Sequence, residues 1–405
     1  MLPSLAIILR DPLLRLVTLA LFLTGVAISS VMPYASLIAV QRLGLSDGAY
    51  SIILMVSSSV MVTVSVVAGI VTDQRANRRQ MLVASFAVAA AGYALVFFTR
   101  SPVAFVVAHT ALLPFGFSVF SQLFALARMA GKARGGAHAD AIFAVTRSSF
   151  ALAFVITPPL WSLALASGVG LISVYVSAGT AALVCFCLFA FAWPSGPGRQ
   201  LEDPKSGLAF AAAFRELARP AIVARIGAVG LITGSNQLYM AVFGLLIVKG
   251  IGGETPDVGR FHGAIALLEI PSMLLCGLAL RRVSKSGLIA TGGAIYAGFM
   301  FLFASMSSMA VTYLLVVPAA IGAGIILSIS ISYLQDLVSA RPGAGGSLTA
   351  VSNFFGQMVA AATFAVGTTV TSYAGTAALG GMLALAGVAA LLAMDGWRRA
   401  EPAAA

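Results

Sequence analysis

The sequence predicts an all-α membrane protein of twelve transmembrane helices in two six-helix halves, with both termini on the cytoplasmic side. Three observations predict it: the composition, the sidedness of the basic residues, and one long polar interval at mid-chain. Of 405 residues, 60% are hydrophobic and 9% are charged, where a soluble domain carries about 25% charged residues. Mean hydropathy is +1.01. A water-soluble globular protein, a disordered chain and a collagen-like repeat are excluded together. Twelve spans of roughly 21 residues consume about 250 positions. No room is left for a soluble nucleotide-hydrolysing domain, so energy for any transport comes from a gradient or from the substrate itself.

The apolar stretches run at about 14–40, 50–71, 80–99, 102–127, 140–166 and 169–193 in the first half. The second half gives 220–248, 257–280, 286–306, 309–335, 344–370 and 372–394. The first stretch is too long for a secretory signal and is read as a retained helix. Of 24 basic residues, Arg42, Arg100, Lys249 and Arg260 fall in one set of loops and Arg147 falls within a span. The remaining 19 fall in the other set and at the two termini. Basic residues collect on the cytoplasmic side, which fixes the orientation. The same rule explains the net charge of +11 without nucleic acid, for which no basic patch with interleaved aromatics exists.

The interval 194–219 is rich in Pro, Gly and mixed charge, and its AFAAAFREL stretch reads as a short amphipathic helix at the membrane surface. It divides the chain into 1–193, a cytoplasmic linker 194–219, and 220–405. An internal echo agrees: GIVTDQRANRR after the second span and GLALRRVSK after the eighth begin at Gly69 and Gly277, 208 residues apart. Two six-span halves are the pattern of a transporter built from parallel repeats, which rocks its halves about a midplane site.

Charges inside spans carry the sharpest functional signal, because each costs about 2.5–3.5 kcal/mol or more at the centre of a helix in lipid. Two qualify: Arg147 in the fifth span and Glu269 in the eighth. Each must face water or a partner, and they are candidates to pair. Pro271 follows Glu269, and its missing N–H frees a carbonyl and lets the helix bend. A carboxyl whose surroundings alternate is suited to loading and releasing a proton. The competing reading is a static ion pair.

Polar side chains on other spans form a candidate ligand set: Gln122, then Asn236, Gln237 and Tyr239 in GSNQLYMAVF, then Asn353 and Gln357 four apart on one helix face. Amides offer donors and acceptors together, which matches sugar hydroxyls. Bonding between helices is the equal alternative for each. His109 is read as a hydrogen-bonded packing residue, with proton relay as the lesser option. Trp161, after Pro158 and Pro159, either packs or offers a face to a sugar ring. Cys185, Cys187 and Cys276 lie in apolar runs and form neither a disulfide framework nor a metal site. Asp336 marks the cytoplasmic end of the tenth span as a gate or cap. No nucleophile elbow, metal motif or phosphate loop is present, so an enzyme and a cofactor are not expected.

The loop at Gly69, Asp73, Arg78 and Arg79 resembles the signature of the major facilitator superfamily, with Gln74 and Asn77 departing from it. The glycine permits close helix approach, and the acid can hold one packing state. Further segments resemble the sugar efflux transporters of that superfamily: SQLFALAR at 121–128, the run from Arg147 to Pro159, Asn236 with Tyr239, LEIPSMLLCG at 268–277, and YLQDLVSARPGAGGSLTAVSN at 333–353. Val242 stands where that family carries an acid. The resemblance implies export of small sugars or glycosides by proton antiport, from a monomer in a bacterial-type inner membrane, with Gly69, Asp73, Arg78 and Asp336 in gating. A multidrug or other amphipathic-solute exporter of the same fold is the alternative, since 25 Phe and 14 Met also suit a greasy cavity. A receptor or membrane enzyme that has lost transport ranks behind both.

Overall fold

The computed structural model describes residues 2–75, 78–135, 138–194, 219–337 and 342–396. The mid-chain linker with its expected surface helix, Arg341 and the C-terminal tail lie outside the described residues. Among the described residues, twelve helices follow a short one at Leu2–Arg10: α1 (Pro12–Arg42), α2 (Asp47–Arg75), α3 (Arg78–Thr99), α4 (102–135), α5 (Ala139–Ala166) and α6 (Leu171–Phe191). The second set is α7 (Pro220–Ile251), α8 (Thr255–Ala279), α9 (Lys285–Ala304), α10 (Met309–Asp336), α11 (Pro342–Val370) and α12 (Tyr373–Asp395). Among the described residues, eleven helices are long and apolar enough to cross a membrane, and Pro102–Gly116 at the front of α4 is a shorter apolar helix. This is a multi-pass membrane protein.

Local chemistry sets the helix ends. Asp11 accepts from the Leu13 and Leu14 amides, each at 2.9 Å, and Pro12 follows as first helical residue, a position where proline loses nothing. Ser284 and Ser372 cap α9 and α12 through the Gly287 and Gly375 amides. At α8 the Glu254 and Asp257 side chains cap each other's amides reciprocally.

Two units make up the chain: Met1–Leu45 with Val56–Gly207, and Ser46–Met55 with Leu208–Ala405. Each repeats the other in detail. A wide π-type turn closes α1 at Ile38–Arg42 and α7 at Leu246–Ile251. A left-handed glycine then ends each helix, Gly44 at φ +71° and Gly252 at φ +79°, 208 positions apart like Gly69 and Gly277. In the first unit Ser149 donates to the Thr18 carbonyl at 3.0 Å, joining α5 to α1. In the second, Ser352 donates to the Ile226 carbonyl at 3.2 Å, joining α11 to α7. Close backbone contact accompanies both bonds. A Cβ at Gly25 would meet Ala153 at 2.7 Å, and one at Gly234 would meet the Gly356 carbonyl at 2.9 Å, the small-residue packing by which helices associate in lipid.

Candidate functional site: a polar cluster on the seventh helix

The stretch from Gly234 to Tyr239 places its polar side chains against two other helices of the second unit, α9 and α11. Asn236 donates from Nδ2 to the Tyr296 hydroxyl on α9 at 2.9 Å. Gln237 donates from Nε2 to the Asn353 backbone carbonyl on α11 at 3.2 Å, and its buried Oε1 has no hydrogen-bond partner among the described residues. Tyr239 is 1% exposed. Its ring stacks on Phe243 at 4.8 Å and meets Tyr296, Phe299 and Phe303 edge-on at 6.4, 5.4 and 5.9 Å. Among the described residues its hydroxyl has no hydrogen-bond partner. An unsatisfied buried polar group costs about 1–3 kcal/mol, a cost that packing alone would not retain, because phenylalanine fills the same space.

Glu269 on α8 is half-buried. Among the described residues it makes no hydrogen bond or ion pair. Pro271 lies inside α8. Beside it Ser272 donates to the Ile321 carbonyl on α10 at 3.2 Å, and a Cβ at Gly324 would meet Ser272 Oγ at 2.8 Å. The absent Cβ brings α10 against the segment that carries the acid. Asn353 has an exposed side chain, and Gln357, one turn on, is half-buried.

In the first unit, Arg147 is exposed on α5. Gln122 is 4% exposed and accepts from Arg78 Nη1 at 2.8 Å, so its carbonyl already belongs to a clamp between α3 and α4. The second unit holds the matching clamp: Lys285, which starts α9 as Arg78 starts α3, donates to Ser332 at 2.5 Å and Asp336 at 2.6 Å on α10. Arg78 and Asp336, both anticipated as gating residues, therefore sit in equivalent clamps. Gly69 and Asp73 belong to α2, but their surroundings and the Asp73 side chain lie outside the described residues. His109 is 2.7 Å from the Tyr175 hydroxyl and stacks on Phe105 at 4.1 Å. The Trp161 indole donates to Ser30 and Ser177 at 3.2 and 3.1 Å. Both fit hydrogen-bonded packing.

Two groups went unread in the sequence. Tyr296 is one; it sits in an apolar run with no polar neighbour to mark it. The other joins Arg225, Asp395 and Tyr333. Arg225 Nε and Nη2 donate to Asp395 Oδ1 at 2.9 and 2.6 Å, and Tyr333 donates to Oδ2 at 2.6 Å. Arg225 and Asp395, with Ser286, Leu337 and Met394, line a cleft of 360 Å³. Their partners are 62 and 170 positions apart, a distance no local pattern spans.

The family model described as the Major Facilitator Superfamily matches residues 17–365. The chain belongs to the major facilitator superfamily. As a member it is a transporter rather than an enzyme. Similar curated proteins include Sugar efflux transporter B of Salmonella typhimurium, 28% identical over 81% of each chain. Sugar efflux transporter A of Dickeya chrysanthemi is 27% identical over 87% of this chain and 88% of its own. Among solved structures, the nucleoside transporter NupG superposes with a TM-score of 0.78 at 14% identity, covering 96% of this chain and all of its own. A peptide transporter POT in complex with sulfate gives 0.75 at 13% identity, covering 94% of each chain. These two establish the fold.

Proposed function

We propose that the protein exports small sugars or glycosides from the cytoplasm in exchange for protons, by alternating access, in a bacterial-type inner membrane with both termini cytoplasmic. The observation that carries this reading is the polar cluster of Asn236, Gln237 and Tyr239 on α7, in the same unit as the half-buried carboxyl of Glu269 on α8. Polar groups that cost stability in a membrane are retained for a ligand or a relay. Similarity to proteins named sugar efflux transporters supplies the substrate class, and alternating donors and acceptors suit its hydroxyls. Asn236, Gln237, Tyr239, Asn353 and Gln357 bind the sugar. Gln122 joins them when Arg78 releases it. Glu269 carries the coupling proton, and Arg147 is its counter-charge in one state of the cycle. Gly69, Asp73, Arg78 and Asp336 stabilise gate states. The driving force is the difference in sugar and proton affinity between the two access states.

The test is reconstitution into liposomes. Efflux of labelled lactose, glucose and a thiogalactoside is followed with and without an imposed pH gradient, beside a cationic dye. Saturable, gradient-driven sugar movement is expected. Dye movement without sugar movement would overturn the reading in favour of an amphipathic-solute exporter.

A further inference from the structure

Along the seam between α7 and α11 one acceptor is left over. Gln237 donates from Nε2 to the Asn353 backbone carbonyl at 3.2 Å, and its Oε1 is buried with no hydrogen-bond partner among the described residues. Chemistry fixes the direction of this amide. Turned over, it would set Oε1 against a carbonyl oxygen, and two acceptors cannot bond. Backbone contact fixes its place. A Cβ at Gly234 would meet the Gly356 carbonyl at 2.9 Å, and one at Gly230 would meet the Ser352 carbonyl at 3.1 Å. Gln237 and Asn353 each lie three residues from the Gly234–Gly356 contact.

The protein's own donors on this seam are spent. Thr233 donates to the Gly230 carbonyl at 3.3 Å, and Ser352 to the Ile226 carbonyl at 3.2 Å. Asn236 gives its amide to Tyr296 on α9 at 2.9 Å. The Ser235 hydroxyl is buried, but it lies toward α12, where a Cβ at Gly380 would stand 3.7 Å from it. The seam nevertheless opens outward. Within the span Leu348–Val370, the Asn353 side chain is exposed and that of Gln357 is half-buried. Amides exposed inside a span face a water-filled space rather than lipid. The missing donor can arrive from there.

We infer that Gln237 is the specificity-determining residue of the sugar site, its carbonyl held as a fixed acceptor that a cargo hydroxyl fills by donating a hydrogen bond. Asn353 positions it through its backbone. Recognition at this point is one-sided. A fluorine or an ether oxygen in the hydroxyl's place has no proton to give and leaves Oε1 unpaired. A site built to bond a substrate hydroxyl rejects the analogue lacking it far more strongly than an apolar pocket rejects a change of shape. The inference rests on the sugar-export reading and adds the direction of the bond that selects the cargo.

Counterflow of labelled glucose and of a labelled galactoside is measured in liposomes, in competition with each parent sugar and its monodeoxyfluoro analogues. Fluorine keeps the approximate size of the hydroxyl and loses its donor. With the unsubstituted protein, one analogue should compete about 10- to 100-fold more weakly than its parent. Gln237→Met and Gln237→Leu remove the acceptor and keep an apolar side chain in the seam. In either variant the parent sugar weakens, and its advantage over that analogue falls to about threefold or less. A thermal melt checks that the variant used is folded, and one folded variant suffices. An advantage that persists in it overturns the inference, as do analogues that all compete like their parents; in both cases sugar transport stands. Absence of any sugar counterflow removes the export reading and the inference with it.

Discussion

Replacing Gly356 by alanine tests whether backbone contact between α7 and α11 holds the candidate site together. The added Cβ would sit 2.6 Å from the Gly230 carbonyl oxygen and 3.1 Å from both the Gly234 amide and Thr233 Oγ1. Two of these atoms are helix backbone and cannot swing aside. Ordinary contact begins at 3.4 Å, so the helices must part by about 0.8 Å. The Gln237 bond to the Asn353 carbonyl, now 3.2 Å, would stretch to about 4 Å and cease to be a hydrogen bond. Overpacking costs about 1–3 kcal/mol and the lost bond about 0.5–1.5 kcal/mol. Alanine's helix preference returns up to about 1 kcal/mol, which leaves a net loss of about 2 kcal/mol. Thermal unfolding in detergent should fall by about 2–3 °C, and sugar exchange should fall with it. Gly298→Ala is the control, because nothing lies within 4 Å of its Cβ; it should melt at or slightly above the unsubstituted protein. If the two variants melt alike, the close-contact argument fails.

Glu269→Gln should abolish gradient-driven efflux while leaving the thermal midpoint in place; pH-dependent transport that persists in liposomes removes the coupling role. Asp395→Ala should destabilise by about 2–3 kcal/mol, because it strips charge-assisted bonds from Arg225 and Tyr333 at a site where the aspartate is 17% exposed. Asp336→Ala breaks a pair whose aspartate is 61% exposed and should cost under about 1 kcal/mol; parallel melts rank the two. Gly252→Ala should cost about 1–2 kcal/mol through its positive φ alone, although nothing lies within 4 Å of its Cβ. A neutral result in the melt would mean that the turn relaxes.

The spans were legible because lipid forces each one to be long and apolar, and the doubling was legible in the 208-residue echo of Gly69 and Gly277. Helix facing was not legible. In water a helix advertises its buried side by period; in lipid the outside is as apolar as the inside. Tyr296 and Phe301 read alike in the sequence, yet one is 1% exposed and the other 37%. The same difficulty hid the Arg78–Gln122 contact, which crosses from α3 to α4. Glu269 stood out as a candidate because an acid in an apolar run needs no facing information to be conspicuous, whereas the Asn236–Tyr296 bond needed the fold.

The 208-residue correspondence also exposes how unequally the two copies are furnished. Where the second copy carries Asn236, Gln237 and Tyr239, the first carries Ile28, Ser29 and Val31; where the second has Glu269, the first has Met61. The serines at 149 and 352 set the matching frame for the fifth helix of each half, and in it Arg147 corresponds to Ala350. Neither intramembrane charge has a twin. The two halves share scaffolding, the π-turns, glycine stops and serine ties, and differ in where each carries its intramembrane charge, so the repeated frame can hold an acid in one half and a base in the other.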